Sequence, residues 1–281
     1  MPKSILITGC SSGIGLDAAL TLHKKGYRVF ATARKPADVE KLKAQGLESF
    51  ILDVNDSNSI KNALSAVLEK TGGTLDALFN NAGYMQPGAV EDITRDMMRA
   101  QFETNVFGTM ELTNLVIPVM RKQGFGRIII NTSILGIVAM PYRGVYNASK
   151  FALEGFASTL RQELHSANIL VSIIAPGPVE SHLRATAHDQ YQSTLATGHS
   201  VHQSLYKKME KYFFNPVESE RRFTKGPDAV TEKLLSALES KKPKAHYYVS
   251  VPAHLFAVLR RILPDCCMDW VMNKVIEGEK Q

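Results

Sequence analysis

Along the chain, short runs of β-branched and apolar residues alternate with longer stretches in which apolar positions recur every three to four residues. The runs at 5–8, 28–32, 49–52, 77–80, 128–132 and 170–175 predict strands, and 246–251 predicts a seventh. They are apolar almost throughout rather than at every second position, the mark of parallel strands covered on both faces. Between them, 15–25, 57–69, 94–121 and 145–166 carry helical periodicity. Gly26, just beyond Lys24 and Lys25, is a natural residue to end the first of these helices. Strand-helix alternation of this kind requires right-handed crossovers, and so predicts a doubly wound, mostly parallel α/β sheet of seven strands in a three-layer α/β/α sandwich. No repeat or low-complexity tract interrupts the pattern. With 281 residues, 44% of them hydrophobic, the chain suits one large domain over residues 1–281 better than two small ones.

The loop after the first strand reads Thr8-Gly9-Cys10-Ser11-Ser12-Gly13-Ile14-Gly15. Glycines so spaced let the backbone turn sharply and come close to a pyrophosphate, whose charge then sits at the N-terminus of the next helix. A plain strand-to-helix turn would look similar, so the downstream residues decide. In a doubly wound sheet, ligands lie beyond the carboxyl ends of the strands, and Gly9, Asn80, Ser133 and Pro176 all fall there. Ser133 stands thirteen residues before Tyr146, and Lys150 stands one helical turn after it.

Taken in order, the glycine loop, Asn80-Asn81-Ala82-Gly83, Asn105, Ser133, Tyr146 and Lys150 resemble the short-chain dehydrogenase/reductase family over most of residues 4–181. The version of the loop from Thr8 to Gly13 and the extended C-terminal part are similar to those of the 17β-hydroxysteroid and retinol dehydrogenases and aldehyde reductases. The resemblance implies a Rossmann fold and a nicotinamide dinucleotide held by Gly9, Ser11, Ser12, Gly13, Ile14 and Gly15, by Asp53 and Val54, and by Asn80, Ala82 and Gly83. It also implies contacts from Tyr146 and Lys150 to the nicotinamide ribose, and from Pro176, Gly177, Val179 and Ser181 to the nicotinamide itself. Asp53 would accept from the adenine amino group or, alternatively, cap the turn before Ser57; Asn81 reads as a structural residue joining strands. Ser181 occupies a place where the family often has threonine.

At the end of the second strand the chain reads Ala33-Arg34-Lys35, with no acidic residue to hold a ribose 2′-hydroxyl. A guanidinium can pair with a 2′-phosphate and stack on adenine, so Arg34, with Lys35 either assisting or simply solvated, favours NADP(H) over NAD(H).

The expected chemistry follows from the side chains. Nicotinamide carries a hydride, leaving the protein to place a carbonyl or alcohol and move one proton. Tyr146 would move it. A phenol titrates near 10, and working near neutrality calls for a shift of roughly 3 units, about what one ammonium some 4 Å away supplies; Lys150 is expected to be that ammonium. Ser133 would bind the substrate oxygen and stabilise charge on it; the resemblance implies that Asn105 holds a water that, with Lys150, links Tyr146 to solvent.

Composition narrows the partners. The net charge of +6 comes from basic residues interspersed with acids, which suits a solvated surface and a phosphate groove rather than nucleic acid. Three cysteines make no disulfide framework and no metal-ligand spacing, so no metal and a reducing, cytoplasmic setting are expected. Nothing in the chain reads as a membrane span. Residues 182–224 are polar, lack strand periodicity and suit a mobile substrate lid; the histidines there (His182, His188, His199, His202) are expected to face solvent. Beyond the helical stretch 228–238, the tail from about 252 to 281 carries the amphipathic run 254–263, interrupted by Pro264. It would line a pocket for a lipophilic carbonyl or alcohol, join subunits, or lie on a membrane with Arg260 and Arg261 at headgroup level, the first being favoured. The helices at 94–121 and 145–166 resemble those through which family members form homodimers or homotetramers, and small residues Ala148, Ala152, Gly155 and Ala157 would allow close approach unless they face the sheet.

Overall fold

Each apolar run forms a strand because both of its faces find cover. In the computed structural model, which describes residues 3–196, 198–212 and 223–278, the strands are β1 (Ser4–Ile7), β2 (Arg28–Ala33), β3 (Glu48–Ile51), β4 (Ala77–Asn80), β5 (Gly126–Asn131), β6 (Ile169–Pro176) and β7 (His246–Val249). They form one sheet in the order β3-β2-β1-β4-β5-β6-β7, with every pairing parallel. The chain winds outward from β1 through β2 and β3, then returns to lay β4 on the other flank of β1. The crevice for a ligand opens at that reversal, beyond the carboxyl ends of the strands.

Alternate side chains divide the core. Leu6, Phe30, Leu78, Ile128, Ile130, Val171 and Ile173 face α3 (Ser57–Thr71), α5 (Gly108–Gln123) and α6 (Gly144–Glu163). Ile5, Ile7, Val29, Ala31, Phe79, Ile129 and Ile174 face α1 (Gly13–Lys24), α2 (Pro36–Ala44) and α9 (Asp228–Glu239). Helix α3 illustrates the local rules: Asp56 caps it by accepting from Asn58 N, it buries Ile60, Ala63, Leu64 and Val67 on one stripe, and Gly72 ends it in the left-handed region.

Two differences from the periodicity bear on the site. The stretch 94–121 is not one regular helix: α4 (Arg95–Phe102) passes through a π turn at Glu103–Phe107 into α5. The widened turn carries Asn105 inward, a local use of an extra residue that hydrophobic spacing cannot register. The segment from Leu183 is helical where the sequence showed no pattern, as α7 (Leu183–Thr194) and α8 (Gln203–Tyr212). Their buried residues Ala187, Tyr191 and Tyr206 pack into a cluster with residues far away in the sequence. The remainder of the expected lid at 213–222, residue 197 and the last three residues of the tail lie outside the described residues.

The tail forms α10 (Val251–Ile262) and α11 (Asp265–Gly278). With α7 and α8, they close a third apolar cluster against the loops after β4 and β5. On α6, the small residues divide: Ala157 is buried against the sheet, whereas Ala148 and Gly155 are exposed beside Phe151 and Phe156. Among the described residues, no helix is long and apolar enough to cross a membrane.

Candidate active site

The glycine loop works through its backbone. Gly9 and Gly13 have φ of 71° and 55°, a region open to glycine at no cost. A Cβ on Gly9 would lie 2.9 Å from Ala82 Cα, and one on Gly15 would lie 2.2 Å from Gly9 O and 2.6 Å from Asn81 Nδ2. Ser12 starts α1 with no side-chain cap, which leaves the first amides of the helix facing the crevice, and Ser11 is exposed beside it. The loop is pinned from below. Thr8 Oγ1 accepts from Asn81 N and Ala82 N, both at 2.9 Å, and Asn81 Nδ2 donates to Thr8 O and Gly9 O. Asn81 Oδ1 in turn accepts from Asn131 Nδ2 at 2.9 Å, so Asn81 ties the ends of β1, β4 and β5 together. Cys10, fully buried, has its thiol pushed up to about 12 by burial and is inert.

The remaining nucleotide-side residues line the same rim. Arg34 and Lys35 are exposed at the carboxyl end of β2, Lys35 preceding α2. Asp53 Oδ1 accepts from Asn55 N and its own N–H bonds Ser59, so the carboxylate does form the turn that was the alternative to an adenine contact; Asp56 is the cap of α3. Val54 packs beneath, where its carbonyl oxygen leaves no room for a side chain on Gly108. Asn80 donates to Thr113 while its Oδ1, fully buried, has no partner, and the same is true of Asn131 Oδ1. Beyond β6, Gly177 N bonds Val249 O, Val179 bridges Lys225, and Ser181 Oγ accepts from Leu183 N. Ser181 lies against the glycine loop, 3.4 Å from where a Gly13 Cβ would be. A backbone cradle without side chains, free helix amides and exposed cations at the second strand suit a phosphorylated dinucleotide.

Helix α6 brings together the residues expected to move the proton. Tyr146 and Lys150 lie one turn apart and are both almost wholly buried. The Ser133 hydroxyl lies beside the Tyr146 phenol, whose pKa it lowers, and accepts from Leu135 N at 3.1 Å, which fixes its rotamer. Lys150 Nζ stands 5.6 Å from the centroid of the Tyr146 ring and donates to Asn131 O at 2.9 Å. Asn105, from the π turn, accepts from Tyr84 N at 3.0 Å and donates to Tyr84 O and Ser149 Oγ. A Cβ at Gly83 would lie 3.0 Å from Asn105 Oδ1 and 3.9 Å from Lys150 Nζ, so both side chains converge on that glycine.

The charge states differ from the simple expectation. Burial pushes the Tyr146 phenol up to about 12, with only partial relief from the Ser133 hydrogen bond and the Arg143 guanidinium. Burial also brings the Lys150 ammonium down to about 8, opposed by the Glu154 carboxylate. The Lys150 Nζ is bonded to the Asn131 carbonyl and sits over the ring, and burial is the dominant influence on the phenol, favouring its neutral form. That is the form able to donate a proton.

Around the phenol the walls are apolar. Met85, Ile93, Leu135, Val138 and Val145 meet Ala187, Tyr191 and Leu195 from 183–195, Tyr206 from α8, and Ala253, Met268 and Met272 from the tail. Tyr206, fully buried, donates to Asp92 and accepts from Ala89 N at 2.9 Å; Ser200 Oγ donates to Asp92 at 2.6 Å. His202 is not a free surface histidine: its Nε2 lies 2.6 Å from Glu91 Oε1, and its ring contacts Tyr142. His188 likewise pairs with Gln192, whereas His182 and His199 are exposed as expected. The spacing of residues 182–224 held no sign of these anchors, since their partners are over a hundred residues away. Among the described residues, no three His, Cys, Asp or Glu side chains gather where they could hold a metal ion.

Comparison with known proteins gives a consistent result. Residues 3–192 match the short chain dehydrogenase family. The chain is 39% identical over 278 residues to the uncharacterized oxidoreductase YbbO of Escherichia coli (strain K12), covering 99% of this chain and 95% of that protein. It is 33% identical over 257 residues to retinol dehydrogenase 8 of Homo sapiens, covering 86% and 79% respectively. Among solved structures, actinorhodin polyketide ketoreductase with NADPH superposes with a TM-score of 0.71 at 28% identity, over 89% of this chain and 95% of that one.

Proposed function

Because the chain belongs to the short-chain dehydrogenase family of nucleotide-dependent oxidoreductases, we propose that it interconverts a lipophilic aldehyde or ketone and its alcohol with NADP(H), Tyr146 giving and taking the proton. The observation that carries this reading is the buried pair on one face of α6, Tyr146 with the Lys150 Nζ over its ring, converging with Asn105 on Gly83 and with Ser133 alongside. A bound nicotinamide nucleotide supplies the hydride. Ser133 holds the substrate oxygen, the neutral Tyr146 phenol donates to it in the reduction, and Lys150 stabilises the phenolate left behind. Asn105, fixed on Tyr84 and Ser149, holds the water that restores the proton.

NADP(H) is favoured by Arg34 and Lys35 at the end of β2, and the NADPH-bound ketoreductase among the structural neighbours is in keeping with it. A lipophilic substrate is favoured by the apolar walls around Tyr146, and retinol dehydrogenase 8 is a relative whose name points the same way. Helices α7 and α8 act as the lid, with α10 and α11 as the rear wall. The outward face of α10, with Val251, Leu255, Val258 and Ile262 all more than half exposed, is where a peripheral membrane contact would form. Exposed Phe107, Phe151 and Phe156 mark the face for homo-oligomer formation, and the free thiols suit the cytoplasm.

The test follows NADPH or NADH oxidation at 340 nm with short, long-chain and retinoid aldehydes and keto-steroids. Turnover with NADPH and the larger carbonyls is expected, and Tyr146→Phe should lower kcat by roughly 10²–10⁴-fold while the Kd for NADPH changes less than about threefold. Tight NADPH binding without turnover would replace the enzyme reading with that of a nucleotide-binding regulator.

A further inference from the structure

Helix α6 carries a third polar residue on the face of Tyr146 and Lys150, one more turn along: Glu154. Its carboxylate is largely buried and both oxygens are taken. Oε1 accepts from Thr132 Oγ1 at 2.7 Å, and Oε2 lies 2.8 Å from His246 Nε2 on β7. Thr132 immediately precedes Ser133. The same side chain fills the space under the loop after β5, where a Cβ on Gly136 would be 3.0 Å from Glu154 Cγ and 3.0 Å from Lys150 O. Glutamate thus joins the carboxyl end of β5, the helix of Tyr146 and the edge strand of the sheet at one point. Isolated carboxylates are expensive to bury, and one held by a hydroxyl and an imidazole beside a desolvated ammonium has an electrostatic reason to be there.

We propose that Glu154 is a positioning residue of the active site: held by His246, its carboxylate stands one helical turn from Lys150 on the same face, where it favours the ammonium, and it fixes the residue before Ser133. This rests on the reading of Tyr146 and Lys150 as the proton-moving pair. The direction of the electrostatics agrees, since burial alone pulls the Lys150 ammonium down and Glu154 is the group that opposes it. The charged and titratable groups facing Glu154 are Lys150 on its own helix and His246 and Tyr248 on β7; Tyr248 is in turn met by His254 of α10 and lies in the field of Arg261.

Replacing Glu154 by Gln removes one negative charge, so the Lys150 ammonium loses its proton at lower pH. Two measurements read this. One is the Lys150 Nζ titration midpoint by heteronuclear NMR of the nucleotide-free protein, assigned with Lys150→Arg. The other is the alkaline limb of the pH profile of kcat/KM for carbonyl reduction. In Glu154→Gln both should move down by roughly 0.5–1 unit. Glu154→Asp, which keeps the charge but draws it back by one methylene, should move them less and in the same direction. Thr132→Val, which removes the hydroxyl and leaves the charge, should lower kcat while the midpoint stays. Lys150 midpoints equal to wild type in every Glu154 variant that folds, or an upward shift, would overturn the proposal. The NMR midpoint needs no turnover, so a protein that fails to reduce carbonyls yet shows the shift would sink the functional reading and leave the role of Glu154 intact.

Discussion

The two halves of the crevice are built by different means. On the nucleotide side, the wall is backbone: Gly9, Gly13 and Gly15 within seven residues, braced by Thr8 and Asn81, with room for nothing larger at Gly15. On the substrate side, the wall is side chains gathered from six segments, and its closing elements are held by single hydrogen-bonded anchors such as Tyr206 on Ala89 and Asp92. A backbone wall tolerates little change because a clash with a carbonyl has nowhere to relax, whereas a side-chain wall can repack around a loss. The glycine-loop half therefore has the least room for substitution, and the side-chain half has the more room to repack.

Three substitutions probe that contrast. Gly15→Ala places a methyl 2.2 Å from Gly9 O and should weaken NADPH binding by roughly 30- to 150-fold, about 2–3 kcal/mol, read by quenching of protein fluorescence. If the Gly15→Ala variant binds NADPH as wild type does, the loop is pliable and the contrast fails. Arg34→Ala, at an exposed site on the same side, should shift the ratio of kcat/KM with NADPH to that with NADH by roughly 5- to 30-fold toward NADH. An unchanged ratio would assign the 2′-phosphate to other residues. Tyr206→Phe removes the hydroxyl that meets Ala89 N and Asp92. It should raise KM for the carbonyl by about 3- to 10-fold and cost about 1–2 kcal/mol of stability by thermal unfolding, with the Kd for NADPH unmoved. A larger change in nucleotide binding than in KM would mean that the two halves are coupled.

Local spacing made much of this legible. The glycine loop, the strand ends and the turn from Tyr146 to Lys150 are all set within a few residues, and the structure places them on one crevice. What spacing misjudged was environment. Lys150 is on the expected face, yet the Tyr146 phenol is pushed up rather than down, because burial is its largest influence. The π turn that aims Asn105 left no trace in the hydrophobic period, and the polar composition of residues 182–224 concealed the buried anchors Tyr191 and Tyr206.

The seven strands, the parallel sheet, several of the helices, the glycine loop and the pairing of tyrosine with lysine were written in the linear chain, since each depends on a short apolar run, a period of 3.6 residues or a glycine at a turn. It took the folded arrangement to bring Glu154 to Thr132, 22 residues away, and to His246, 92 away, and to bring Tyr206 to Ala89 across 117 residues. Those contacts follow from which strand lies beside which and how the helices pack over them. That is a property of the assembled sheet, and no local window contains it.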